Sequence, residues 1–518
     1  MADILKFTAS VVGIAVVYYA VQLLQHYQRR KGLKVPPGPR GVPILGNLLQ
    51  LLEADGDLIP VFGKWTKEFG PIMQFSVLGD KQVLLGTQKA AQDLLAKRGG
   101  RYSDRGIPHG PRYIDDHSLV LLDKDEKWTR ENRVLHQALL TSLGSGGKWL
   151  KLMDDEAEIT LRELCKTPDD FVAHFQRFSY GVLTRPFLGF SIESAQDPYL
   201  RTAEANINDG LRCFRSDAYP SNLFPFLRRL KFLPSLRKLE ELKERNLRGK
   251  MELQERVRQQ SRDNGAESVY RHFLENRKDF HDISDVELAA SFDAILSGGT
   301  RTLYIGMMTV SFLMLLYPEW QVKMQEHIDE VIGPDRMPNM EDISKMYLIR
   351  ALVKEGIRYH SLHADVGIPH KLSEDDEYEG FFFEKGTAFH ANTATILMNK
   401  EEYPDQKIFN PARWVDPSYP TYREPLTTYP NCKNFAPFGF GRRACPGFDL
   451  AERTLVVGIA KMIWAFDIRI PLGADGKPRE IKIEYEWAPN KQPKEFPCQF
   501  VPRRDPESAA MRELLAGN

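Results

Sequence analysis

The 518-residue chain is poor in cysteine, with five in all, and carries no net charge: 70 basic side chains balance 70 acidic ones. Cys165, Cys213, Cys432, Cys445 and Cys498 are odd in number and widely separated. They make neither a disulfide framework nor a zinc-type spacing, and they fit a reducing compartment. The charge balance argues against a nucleic-acid-binding protein, which would show a basic excess. Internal repeats and low-complexity runs are absent, and only one stretch reads as a linker. What remains is a large globular chain whose 42% hydrophobic content is ample for a sizeable core.

Only one uncharged run exceeds about twenty residues. Phe7 to Gln28 carries no formal charge, and Phe7 to Leu24 is almost wholly apolar. As a helix, this run spans about 33 Å, close to the thickness of a bilayer's hydrocarbon core. Arg29, Arg30, Lys31 and Lys34 follow at once, which predicts a single span with the rest of the chain in the cytosol. A cleaved signal peptide is the alternative, but the run is long for one. Residues 1–35 are therefore read as a membrane anchor with its basic flank. Pro36-Pro37-Gly38-Pro39, Gly41, Pro43 and Gly46 make 36–46 a stiff connector, because proline blocks helix. Residues 47–518 read as one large domain.

Helical signals dominate that domain. Ser284-x-x-Glu287 predicts a capping box opening a long helix that runs to Tyr317, just before Pro318. Helical spacing continues from Trp320 to Ile332 and from Ile349 to His360. Strand signals are few: Ile72 to Leu78, Gln82 to Gly86, and Phe381 to Ala391. The expected class is mainly α with a small β region.

The densest chemical signal is Phe438-Gly439-Phe440-Gly441-Arg442-Arg443-Ala444-Cys445-Pro446-Gly447, followed by a helix from about Phe448 to Phe466. Its glycines let the backbone turn sharply and approach a flat ligand. Cys445 stands just before a helix N-terminus, where free N–H groups and the helix dipole favour a thiolate, the form that ligates iron. Arg443 is placed to pair with an anion beside the metal. Cys432 has no such glycine setting and reads as structural. The pattern Phe438, Gly441, Arg443, Cys445 and Gly447 resembles the haem-binding signature of the cytochrome P-450 superfamily.

That resemblance extends over nearly the whole chain and implies a P-450 fold with a single catalytic domain. The cofactor it implies is haem b, iron protoporphyrin IX, with Cys445 as the axial thiolate. Glu355-x-x-Arg358 and the Arg413 of Phe409-Asn410-Pro411-Ala412-Arg413-Trp414 are similar to the family's buried charge network behind the haem. Trp128 resembles a tryptophan beside a haem propionate. The arginine usual four residues later is Asn132 here, so Arg130 and Arg133 are candidates to replace it. His370 resembles a further propionate contact.

The long central helix reads Gly298-Gly299-Thr300-Arg301-Thr302. Thr302 takes the place of the family's oxygen-handling threonine, and its hydroxyl can bond the carbonyl four residues back. Arg301 stands where the family has an acid, and a guanidinium cannot relay protons as a carboxylate does. Three readings follow. Arg301 points away and water carries protons, or it pairs with a polar or anionic group of the substrate or a nearby carboxylate, or ordinary oxygen activation is lost. The last would suit a rearranging enzyme or a non-catalytic haem sensor.

The family's reaction is monooxygenation: one atom of O2 enters the substrate by hydroxylation or oxidative coupling, and the other leaves as water. No flavin-type segment follows residue 500, so electrons are expected from a separate NADPH–cytochrome reductase, with cytochrome b5 as a possible second donor. Lys127, Arg130, Arg133, Lys433 and Arg442 are candidates for its docking face. The anchor then places the chain on the endoplasmic-reticulum membrane, with the catalytic domain on the cytosolic side. From Tyr422 through the cysteine loop to Arg453 the chain looks like fungal microsomal members of secondary metabolism. The expected substrate is small and hydrophobic, aromatic or terpenoid, and met by Ile107 to Val120, Arg201 to Phe214 and Phe292 to Ser297.

Overall fold

The computed structural model describes residues 28–518 except 55–56, 145–146, 216–217, 361–366, 424–431, 489, 506 and 517–518. The expected membrane span thus lies outside the described residues.

The fold is built around one helix, Asp285–Leu316. The predicted capping box opens it: Ser284 Oγ accepts from the Glu287 N–H at 3.2 Å, and the Glu287 carboxylate accepts from the Ser284 N–H at 2.8 Å. Pro318, which cannot continue an i→i−4 ladder, begins the next helix, Pro318–Val331. By length and composition the central helix could cross a membrane, but 78% of its most apolar window is buried in protein. It is a core helix, surrounded by Glu126–Gly144, Phe171–Leu188, Tyr347–Tyr359 and Phe448–Ala465. Two glycines let neighbours approach closely. A Cβ on Gly299 would lie 2.7 Å from Leu183 Cδ1, and one on Gly306 would lie 2.7 Å from Leu455 Cδ2.

The largest sheet has five strands in the order Ile72–Val77, Asp80–Leu85, Ala388–Ala391, His370–Lys371 and Asp104–Arg105. Its one parallel pair joins Asp80–Leu85 to Ala388–Ala391. The stretch from Phe381 to Ala391, expected as one strand, is two. Phe381–Phe383 pairs with Asp376–Tyr378, and Gly386, at φ +89°, turns the chain before Ala388. The proline-rich connector is strapped to the first strand: Gln74 N–H donates to Pro37 O at 2.8 Å, and Asn47 N–H to Ser76 O at 2.7 Å. Gly38 is required there, since a Cβ would overlap the Gln74 carbonyl oxygen at 1.7 Å.

Behind the central helix, the predicted charge network is present and fully buried. Glu355 receives Arg358, Arg413, the Trp414 indole and the Asn410 N–H. A buried carboxylate is tolerable only when paired in this way. One expectation is corrected. Phe292, placed among substrate-facing residues, is wholly buried and stacks on Tyr270 at 4.1 Å with the planes 7° apart. It is part of the core.

Candidate active site

The cysteine loop is held by backbone geometry. Gly441, at φ +60°, sits against the Gln92–Lys97 turn so closely that a Cβ would fall 2.3 Å from Leu95 O. Cys445 N–H donates to Phe438 O at 2.6 Å and closes the loop, and Gly447 is the N-cap of the helix Phe448–Ala465. The Cys445 side chain is exposed, yet protein crowds it enough that burial pushes the thiol pKa up, against the Gly447 N–H, which lowers it. A metal that replaces the proton would deprotonate the thiol outright. Cys432 is buried, with its thiol pKa raised well above the ordinary value, as suits a structural residue.

The second feature is a break in the burial of the central helix. Ser297 and Gly298 are exposed, and Gly299, Arg301 and Thr302 are half-buried, within a helix otherwise mostly enclosed. The central helix and the helix after Cys445 pack side by side and run in the same direction, Gly306 against Leu455, Gly458 against Met307 and Ser311 against Met462. Going back along both from that contact leads to Thr302 and Gly298 on one side and to Cys445 on the other. Thr302 with Gly298, and Cys445, thus lie toward the same end of this helix pair. Thr302 Oγ1 donates to Gly298 O at 3.0 Å and lies 3.3 Å from Gly299 O. A Cβ on Gly298 would meet nothing within 4 Å, so the space beside Thr302 is open.

Arg301 makes no ion pair among the described residues. It donates to Asn208 Oδ1 at 2.7 Å, on the helix Pro198–Arg212, and reaches Gln492 Oε1 at 3.5 Å, on the hairpin strand Asn490–Pro493. It ties the central helix to both.

Of the residues expected to meet an anion, the structure brings Arg443, Trp128 and His370 together. Arg443 donates to the carbonyls of Ser103, Leu119 and Leu122, and its guanidinium lies 4.5 Å above the buried Trp128 ring. Beside it is Arg105, which the sequence did not single out. Arg105 donates to Val120 O and Ile368 O and pairs across the strand ladder with His370. Burial pushes Arg105 down to about 9, with the Arg443 charge adding to the shift, and burial pushes Arg443 down to about 10. Neither has a carboxylate within ion-pair distance among the described residues. His370 is held neutral, at about 3, by burial and then by Arg105. Its Nδ1 bonds Tyr102 O at 2.7 Å, so Nε2 becomes a donor only if an anion raises the pKa. Arg130 and Arg133 are committed elsewhere, to Glu287 at 2.6 Å and Asp282 at 2.5 Å.

An exposed thiol, with the buried Arg105 and the half-buried Arg443 nearby and no carboxylate on either, fits a flat, iron-bearing dianion such as haem. Cys445 would hold the iron, and Arg105 and Arg443 would meet the propionates.

The comparisons agree with this geometry. The family model described as Cytochrome P450 matches residues 36–492. The chain is 44% identical to cytochrome P450 monooxygenase psoD of Aspergillus fumigatus over 93% of both chains. It is 30% identical to cytochrome P450 monooxygenase COX2 of Coprinopsis cinerea, over 94% of this chain and 92% of that one. A zebra fish cytochrome P450 structure with abiraterone superposes with a TM-score of 0.68 at 18% identity, covering 86% of this chain and all of that one, which bears on the fold alone. The thiol loop, its anion pocket and these relatives agree: the chain belongs to the cytochrome P450 family, and it is a haem-thiolate monooxygenase.

Proposed function

We propose that this monooxygenase oxidises a small hydrophobic secondary metabolite, aromatic or terpenoid, by hydroxylation or oxidative coupling. In this reading it is anchored by its N-terminal span in the endoplasmic-reticulum membrane with its catalytic part in the cytosol. It draws electrons from NADPH through a separate reductase, with cytochrome b5 as a second donor. The observation that carries the reading is the Thr302–Gly298 hydrogen bond beside open space, in a helix packed parallel to the one that follows Cys445.

Haem iron held by the Cys445 thiolate would supply O2 binding and its reductive activation. The remaining work falls to this chain. Gly298 leaves room for a small molecule next to the Thr302 hydroxyl. That hydroxyl can turn from the Gly298 carbonyl and hold a proton in that space instead. Lys433 and Arg442 are exposed and remain available to an acidic reductase face, whereas Arg130 and Arg133 are engaged in ion pairs.

The test is spectroscopic, then chemical. The reduced holoprotein is expected to give the carbon-monoxide difference band of a thiolate-ligated haem. With reductase, NADPH and a fungal metabolite extract, it is expected to form a product carrying one atom from isotope-labelled O2, or a coupled product with O2 consumed. A thiolate band without substrate-dependent NADPH use would favour a sensor. Turnover without NADPH or O2 would favour a rearranging enzyme.

A further inference from the structure

Where this chain buries a cation, it supplies a carboxylate. Arg177 meets Glu156 and Glu163, Lys250 meets Asp115, Arg350 meets Glu452, and Lys461 meets Glu158. Arg358 and Arg413 share Glu355. Among the described residues, Arg105 is the fully buried cation without one, and the half-buried Arg443 beside it also lacks one, where the haem propionates fit. Arg301, in the central helix, is a further half-buried cation that meets no carboxylate.

Arg301 is half-buried, in the helical turn where the burial of the central helix breaks. Both of its acceptors are neutral amides, and one, Gln492 Oε1, lies at the 3.5 Å limit of a hydrogen bond. Its Nε is buried and has no acceptor at all among the described residues. A guanidinium carries five N–H groups in a planar fork suited to a carboxylate. Neutral amides leave its charge without a counter-ion, so a carboxylate would be a stronger partner than either. Asn208 is itself exposed, so it can give way to an incoming acceptor.

Resting on the monooxygenase reading above, we propose that Arg301 is a specificity-determining residue that recognises a carboxylate or comparably acidic group on the substrate, with Asn208 and Gln492 completing the contact. The substrate class is then narrowed to hydrophobic acids. The acidic end lies at Arg301, and the carbon to be oxidised lies toward Cys445. The same residue that removes the usual acid next to Thr302 thereby introduces a substrate anchor.

The test is binding to the holoprotein, measured by calorimetry and by the shift of the haem absorption band. The probes are matched acids and amides: indole-3-acetate against indole-3-acetamide, and 4-phenylbutyrate against 4-phenylbutyramide. At least one acid is expected to bind about tenfold or more tightly than its amide, the scale of one charge-assisted hydrogen bond. Arg301→Gln is expected to erase the difference, and Arg301→Lys to keep part of it. Asn208→Asp places a tethered carboxylate on the guanidinium and is expected to weaken the acids about tenfold while sparing the amides. Equal binding of every acid and its amide, or a preference that survives Arg301→Gln, would overturn the proposal. Binding requires no turnover, so this failure is distinct from failure of the proposed reaction, which shows as a missing thiolate band or a missing oxygenated product.

Discussion

The carboxylate of Glu355 receives Nε and Nη2 of Arg358, each at 2.8 Å, with both side chains fully enclosed. The pair spans one turn of Tyr347–Tyr359. Arg413 at 3.2 Å, the Trp414 indole at 3.0 Å and the Asn410 N–H at 3.0 Å also donate to this carboxylate. Arg358 also donates to the carbonyls of Leu397, Gln406 and Ile408, so one ion pair fixes the segment leading to the cysteine loop. Removing the carboxylate leaves two buried guanidinium groups unpaired, a loss of about 3–5 kcal/mol. Glu355→Ala is therefore expected to yield no stable holoprotein, read as haem per chain after purification. A stable Glu355→Ala holoprotein would contradict this role. Glu355→Asp, which keeps the charge but not the reach, is expected to fold with reduced haem content.

The two adjacent glycines of the central helix make opposite predictions. Gly299 faces Leu183, so Gly299→Ala drives its Cβ to 2.7 Å from Cδ1 and is expected to cost about 1–3 kcal/mol. Replacing Leu183 with Val in the same chain should restore part of that loss. Gly298 faces open space, and Gly298→Ala should gain about 0.5–1 kcal/mol of helix stability. Its methyl group narrows the open space beside Thr302. The expected result is a protein no less stable to denaturant that binds its substrate less well, and equal binding would show that Gly298 does not border the substrate.

Much of this arrangement was legible in the sequence, and the rest was hidden for definable reasons. Local signals survived: the Ser284–Glu287 box, the loop from Phe438 to Gly447, and the spacing of Glu355 and Arg358. Asp104–Arg105 and His370–Lys371 are strands of two residues, too short to show alternation. Arg105 has no motif, and it gains meaning only when the ladder sets it opposite His370. Arg130 and Arg133 had the right neighbourhood beside Trp128, but Glu287 and Asp282 lie far away in sequence and claim them. The partners of Arg301 are similarly non-local, on the helix Pro198–Arg212 and the strand Asn490–Pro493.

The anion pocket separates those arginines by experiment. Arg105→Gln and Arg443→Gln each remove a charge that has no carboxylate partner. Each is expected to speed transfer of haem to an acceptor protein about tenfold or more, consistent with about 1.5–3 kcal/mol for a hydrogen bond to a charged group. Arg130→Gln and Arg133→Gln remove exposed or half-exposed ion pairs and should leave the transfer rate unchanged. The reverse ranking would return the propionates to the helix Glu126–Gly144.

Acid stability provides a last check, away from the iron. His360 ends the helix Tyr347–Tyr359, is 2% exposed, and packs its ring 4.3 Å from Tyr485. Its Nε2 is buried without a partner among the described residues. Burial, then the Lys491 charge, pushes it down to about 3. The folded state therefore resists a proton that the unfolded chain accepts near 6.5. Stability from this group is intact above pH 6.5 and is lost as pH falls toward 3, by up to about 1.4 kcal/mol per pH unit. Asp154 has the opposite sign. Burial raises it to about 6, so protonation there favours the folded state as pH falls. The wild-type slope is a sum of such terms, and only a difference isolates one of them. His360→Phe, read by urea unfolding at pH 6.5 and pH 5, is expected to flatten the acid slope by about 1 kcal/mol per pH unit. An unchanged slope would mean that His360 is protonated in the folded protein.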